Sequence, residues 1–157
     1  MFVRKLRAVQ QNLLAQSVRP EICRFNMRYF GVKLSEAAGG VTADAAPLCG
    51  TQACIAGETI LNAGLAFIPK GGGFTLTAEA KAIAARESRF DEEVVARRLL
   101  GLTDEQARRL FYFTRMGQGF GWPKHLEAAY EACTTATGRA LIGAQRIELF
   151  IQTNGEQ

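Results

Sequence analysis

Apolar residues recur along most of this chain at the spacing of an α-helix. Phe2, Leu6, Val9 and Leu13 fall at i, i+4, i+7 and i+11, drawing one apolar stripe over residues 2–16. Arg19-Pro20 stops that helix, because proline disfavours helical backbone in the residue before it. Residues 22–33 (ICRFNMRYFGVK) fit either a short helix or a strand. Residues 35–50, rich in Ala, Gly, Ser and Thr, read as a loop.

Thr51 is placed to cap a second helix running to about Asn62 or Gly64. Residues 66–77 then lose the helical period. Two short β-prone runs flank Lys70-Gly71-Gly72-Gly73, and the glycines offer the positive φ of a tight hairpin turn. Thr77 caps a helix to about Arg86. Ser88 or Asp91 starts FDEEVVARRLL, which has its acids at the N-terminal end and Arg97 and Arg98 near the C-terminal end. Gly101 ends it, and Thr103 with Gln106 forms a capping-box pattern, so residues 91–113 read as an αα-hairpin. Gly117, Gly119 and Gly121 make a connector to Trp122. Pro123, at a first helical position, opens PKHLEAAYEAC. A last helix, roughly 137–152, lines up Ala140, Ala144, Ile147 and Ile151 and closes at Asn154-Gly155. The expected fold is mainly α: a compact helical domain of about five to seven helices with one small β-hairpin near 66–77, occupying residues 1–157 as one unit.

Composition narrows the class without naming an activity. The 157 residues are 48% hydrophobic and 22% charged, which suits a globular chain and no disordered or fibrous one. No apolar run reaches the roughly 18–20 residues of a membrane span. The N-terminus has no continuous apolar segment of a secretory signal. Its basic, acid-free composition is shared with amphipathic transit peptides, but its well-formed stripe favours a structural first helix. Cys23, Cys49, Cys54 and Cys133 lack a disulfide framework, so reduced thiols in a cytoplasm are expected. The net charge of +4 is uneven: Arg4, Lys5, Arg7, Arg19, Arg24, Arg28 and Lys33 oppose Glu21 alone in residues 1–34. A nucleic-acid or acidic-protein contact needs such a surplus, and a solvated helix face also produces one.

Candidate chemistry is sparse. Cys49 and Cys54 near a helix start invite a nucleophile reading, with His125, the single histidine, as its base. Against it, Ala53, Gly57, Ile60 and Gly64 read as a small-residue seam in which Cys54 is a small hydrophobe. One Cys-x4-Cys spacing without a second pair does not announce zinc, and the Lys70 turn lacks P-loop spacing. No metal, cofactor or catalytic group is assigned. The VVARRLLGLTDEQARRLF unit has a helix-turn-helix rhythm, in which Asp104, Glu105, Arg108 and Arg109 would face the groove. The two leading acids oppose phosphate there.

The stretch Cys49-Gly50-Thr51-Gln52-Ala53-Cys54-Ile55-Ala56-Gly57 resembles a group of small, uncharacterised bacterial and phage proteins carrying Cys-Gly-Thr-x-x-Cys-x-Ala-Gly. Leu100-Gly101-Leu102, Leu110-Phe111, Trp122-Pro123 and the apolar helix ending near Ile151 continue the resemblance. Those proteins often carry His or Trp where this chain has Glu58, which argues against a role needing His there. The resemblance implies a cytoplasmic, mobile-element setting and no established activity.

The function expected is that of a non-enzymatic accessory protein that binds a protein partner. Aromatic residues interleaved with cations single out Arg108, Arg109, Arg115, Phe120, Trp122 and Lys124 as the partner-binding set. The alternative is a nucleic-acid-binding module using the basic N-terminal region and the 91–113 hairpin. A cysteine-dependent activity stands behind both.

Overall fold

The structure is a computed structural model that describes residues 2–23, 25, 32–33, 51–52, 54–67, 75–85, 91–112 and 121–156. Seven α-helices occur among these residues, with two small antiparallel strand pairs, a mainly α fold. Helix α1 (Phe2–Ser17) buries Leu6, Val9 and Leu13, the stripe read from the sequence. Its largest partner is α7 (Ala136–Gln152), which returns Ala140, Gly143, Ala144, Ile147 and Phe150 to the interior. The basic first helix is therefore docked along its length. At Gly143 a Cβ would stand 2.5 Å from ring carbons of Phe25, so the missing side chain is what admits the aromatic ring between α1 and α7.

A polar clasp locks the same pair. Arg7 and Gln10 on α1 both bond to the Glu148 carboxylate on α7, the latter at 2.9 Å. These hydrogen bonds, the one from Arg7 first, pull the Glu148 carboxyl down to about 2. Because the folded value lies below the ordinary one, the clasp contributes fully above about pH 4.5. It is lost as pH falls toward 2. Urea midpoints measured from pH 6 to pH 2.5 are therefore expected to fall more steeply for the parent than for Glu148→Gln. Parallel curves would mean the clasp adds nothing.

Helix α2 (Ile55–Asn62) starts later than expected. Thr51 does not cap it but lies in β2 (Thr51–Gln52), paired with β1 (Val32–Lys33) in the register Val32↔Gln52. Pairing holds Thr51 extended and away from the helix, and Cys54, with φ −85° and ψ −174°, becomes the N-cap. The helix ends at Asn62 with Ala63 as its cap, and Gly64, with a φ of +71°, lets Leu65 N–H reach back to the Ile60 carbonyl at 3.1 Å. Of the ambiguous 22–33 stretch, only Ile22 (closing a 3-10 turn from Pro20), Cys23, Phe25 and β1 are described.

The expected hairpin forms from β3 (Ala66–Phe67) and β4 (Thr75–Leu76), in the register Ala66↔Leu76. Its Lys70–Gly73 turn lies outside the described residues, as does the 35–50 stretch. The Thr77 hydroxyl caps α3 (Ala78–Ala84) by accepting from Ala80 N–H at 3.2 Å, and α3 stops short of Arg86. Helix α4 (Asp91–Leu100) ends at Gly101, φ +70°. Helix α5 (Asp104–Phe111) opens with both bonds of the Thr103–Gln106 capping box. The two consecutive helices touch each other, and each also packs elsewhere, α4 mainly on α2 and α3, α5 on α2 and α7. Pro123 is the N-cap of α6 (Lys124–Ala132), one position earlier than its expected place inside the helix. One continuous core runs from Leu6 to Phe150 and draws on every α-helix.

Candidate partner-binding surface

Two regions are candidates: the α5–α6 junction singled out by its aromatic and basic residues, and a groove between α1, α2 and α4.

At the junction, Arg115 and Phe120 lie outside the described residues. Trp122 is 0% exposed, so it is corrected from a contact residue to a core anchor. Its indole N–H donates to the Leu110 carbonyl at 3.1 Å, satisfying an end of α5, and its ring meets Tyr130 edge-on at 5.7 Å. A large ring with a polar tip is most stable where the ring is dry and the tip is bonded, which the end of a helix supplies. Arg109 bonds to the Glu105 carboxylate and to the carbonyls of Gly155 and Glu156, tying α5 to the final turn of the chain. Arg108 is half-buried, and Lys124 is exposed at the first position of α6. The structure thus brings Arg109 and Trp122 into folding roles and leaves Lys124 as the exposed member of the described set.

The N-terminal surplus of charge is also partly taken up. Arg7 belongs to the clasp on Glu148, and Arg19 pairs with Glu21 at 2.9 Å. In the 91–113 unit, Arg97 pairs with Asp104 at 2.9 Å and Arg109 with Glu105.

The groove is lined by Arg4, Lys5, Ala8, Val9, Thr59, Asn62, Ala63 and Leu99 and has a volume of about 340 Å³. Buried Val9 and Thr59 form its floor, and Ala8, Ala63 and Leu99 form its walls. It exists because Ala8 and Ala63 are too small to fill the junction where α1 crosses the ends of α2 and α4. Lys5 Nζ donates to the Leu99 carbonyl at 2.5 Å, a cation closing the negative end of α4. Arg4 is exposed at the rim. None of the eight lining residues is acidic. Just outside the groove, Asn12 Nδ2 donates to the buried Glu58 carboxylate at 2.9 Å, holding that acid in the interior rather than at the rim.

The nucleophile expectation meets a different physics. Cys54 sits at the α2 N-terminus as anticipated, and the Gly57 and Ala56 N–H groups do favour its thiolate. Burial outweighs them and, with the Glu58 charge adding to it, pushes the thiol up to about 12. His125 stands exposed on α6, away from the interior that holds Cys54. Alkylation of Cys54 in the native chain at pH 7 is therefore expected to be slower than that of a free thiol by on the order of 10³-fold. Peptide mapping after timed iodoacetamide treatment, with and without urea, checks this. Native labelling as fast as denatured labelling would revive a reactive cysteine. No cluster of three or more His, Cys, Asp or Glu placed to hold a metal occurs among the described residues. No described helix is long and apolar enough to cross a membrane.

No family model matches the chain, and no curated protein or solved structure matches it.

Neither Arg4 nor Lys5 stood out in the sequence beyond the general basic surplus. One signal was available: two cations occupy the first turns of α1 with no acid beside them, the end where the helix dipole disfavours positive charge. A local rule broken without local gain is a recognised mark of a functional position.

Proposed function

We propose that this chain is a non-enzymatic accessory protein of a bacterium or mobile element that acts by binding another protein. The observation that carries this reading is the groove. It presents a mostly apolar lining and a cationic rim on three helices that are themselves anchored in the core, so the surface is rigid before a partner arrives. The proposal places the protein in the cytoplasm, where the thiols of Cys23, Cys54 and Cys133 stay reduced. A nucleic-acid-binding role for the N-terminal region and the 91–113 hairpin draws less support. Arg7, Arg97 and Arg109 are engaged with carboxylates of the same chain, and phosphate contacts would have to displace those bonds.

The test is a tagged pull-down from bacterial lysate, split into nuclease-treated and untreated halves. The same defined protein is expected in both. Partners lost on nuclease treatment, or nucleic acid recovered with steeply salt-dependent affinity, would overturn the reading in favour of the nucleic-acid module.

A further inference from the structure

Resting on the protein-binding reading, we propose that the groove between α1, α2 and α4 docks an acidic–apolar peptide segment of the partner. One large apolar side chain would seat on Val9 between Ala8, Ala63 and Leu99, and a neighbouring Asp or Glu would be held by Arg4 and Lys5.

Charge complementarity selects this occupant. The rim carries two cations, and no acid lines the groove. The C-terminal ends of α2 and α4 and the buried Glu58 carboxylate offset part of that charge from beneath, while the cations at the surface are Arg4 and Lys5. Donors remain for a carboxylate. The Lys5 ammonium has three and gives one to Leu99, while the exposed Arg4 guanidinium offers a planar fork suited to bidentate contact.

The lining suits a peptide better than a phosphate backbone. Its two cations are consecutive residues of α1, and Ala8, Val9, Ala63 and Leu99 make up half of its eight lining residues, unlike the row of cations and stacking aromatics that tracks a strand. The volume of about 340 Å³ is at the small end of ligand-binding clefts, the scale of one anchoring side chain with its flanks. Central apolar anchors ringed by polar contacts are the usual form of a protein hot spot.

The placement of Arg4 supports a binding role independently. In the first turn of α1, with no acid beside it, it works against its own helix. Arg4→Glu would therefore align charge with the dipole and leave the fold intact or slightly firmer. That separates loss of binding from loss of structure.

The test uses random-sequence peptides displayed on phage, selected against the full chain. Enriched peptides are then synthesised and titrated against parent, Arg4→Glu and Ala63→Trp, with circular dichroism confirming each fold. The expected result is enrichment of an Asp or Glu close to a large apolar residue. Affinity should fall at least tenfold in both variants and several-fold with added salt. Backbone amide shifts on titration should centre on Ala8, Val9, Thr59, Ala63 and Leu99. Failure to enrich any peptide, enrichment of basic or acid-free sequences, or binding by either variant as tight as the parent's would overturn the proposal. A nuclease-resistant partner that Ala63→Trp still captures would overturn the groove alone and leave the protein-binding reading standing.

Discussion

Trp122→Ala is expected to lower the unfolding free energy by about 3–5 kcal/mol, the range for removing a fully buried aromatic side chain. Trp122 is 0% exposed and fills the space between the end of α5 and the face of α6 that carries Tyr130. Truncation would empty that space and also leave the Leu110 carbonyl without its indole donor. Trp122→Phe separates the two effects. It keeps most of the ring and loses the bond, which predicts a smaller loss of about 1–2 kcal/mol. Urea denaturation of the three proteins, followed by far-ultraviolet circular dichroism, measures both. A loss below 1 kcal/mol for the alanine variant would mean the ring is not an anchor. Trp122 is the single tryptophan, so its emission reports directly on its surroundings: blue-shifted in the native chain and red-shifted on unfolding.

Arg146 carries the second large effect. It is 0% exposed on α7, donates to the Arg109 carbonyl at 2.9 Å, and lies 5.5 Å from the centre of the Phe150 ring. Burial, and then the charge of Arg109, bring its guanidinium down to about 10. A base whose folded value lies below its unfolded one costs stability in its charged form. That cost is present throughout neutral pH and is relieved only as pH rises through about 10. Removing the side chain and removing the charge should therefore differ in sign. Arg146→Ala leaves a cavity and a bare helix-end carbonyl, and is expected to lose about 2–4 kcal/mol at pH 7. Arg146→Met keeps the volume without the charge, and is expected to equal or exceed the parent, as apolar replacements of buried ions often do. Equal destabilisation by both would show that the guanidinium bonds outweigh its desolvation.

The candidate site depends on both kinds of information. Lys5 and Arg4 are visible in the sequence as basic residues. Only the packing of α1 across α2 and α4 turns them into one rim over Val9 and Thr59. The reverse happened at the α5–α6 junction. Its interleaved aromatic and basic residues suggested a contact surface, but the same composition serves a core edge with cations bonded around it. Trp122 and Arg109 took that second course. Nothing local distinguishes the two, because exposure is a property of what lies opposite a side chain.

Features with short-range causes were legible before folding. The α1 stripe, the Thr77 and Thr103 caps, the Gly101 stop and the 66–77 hairpin all follow from backbone preferences and side-chain period within a few residues. The α2 start is the instructive exception. Thr51 has the chemistry of a cap, but pairing with β1, far off in sequence, claims its backbone. Tertiary structure alone decided that α1 docks on α7 through Glu148, that desolvation overrides the helix end at Cys54, and that two alanines leave a groove. Each depends on distance between residues remote in the chain. Coulombic, desolvation and packing energies vary with that distance, and the sequence does not specify it until the chain has folded.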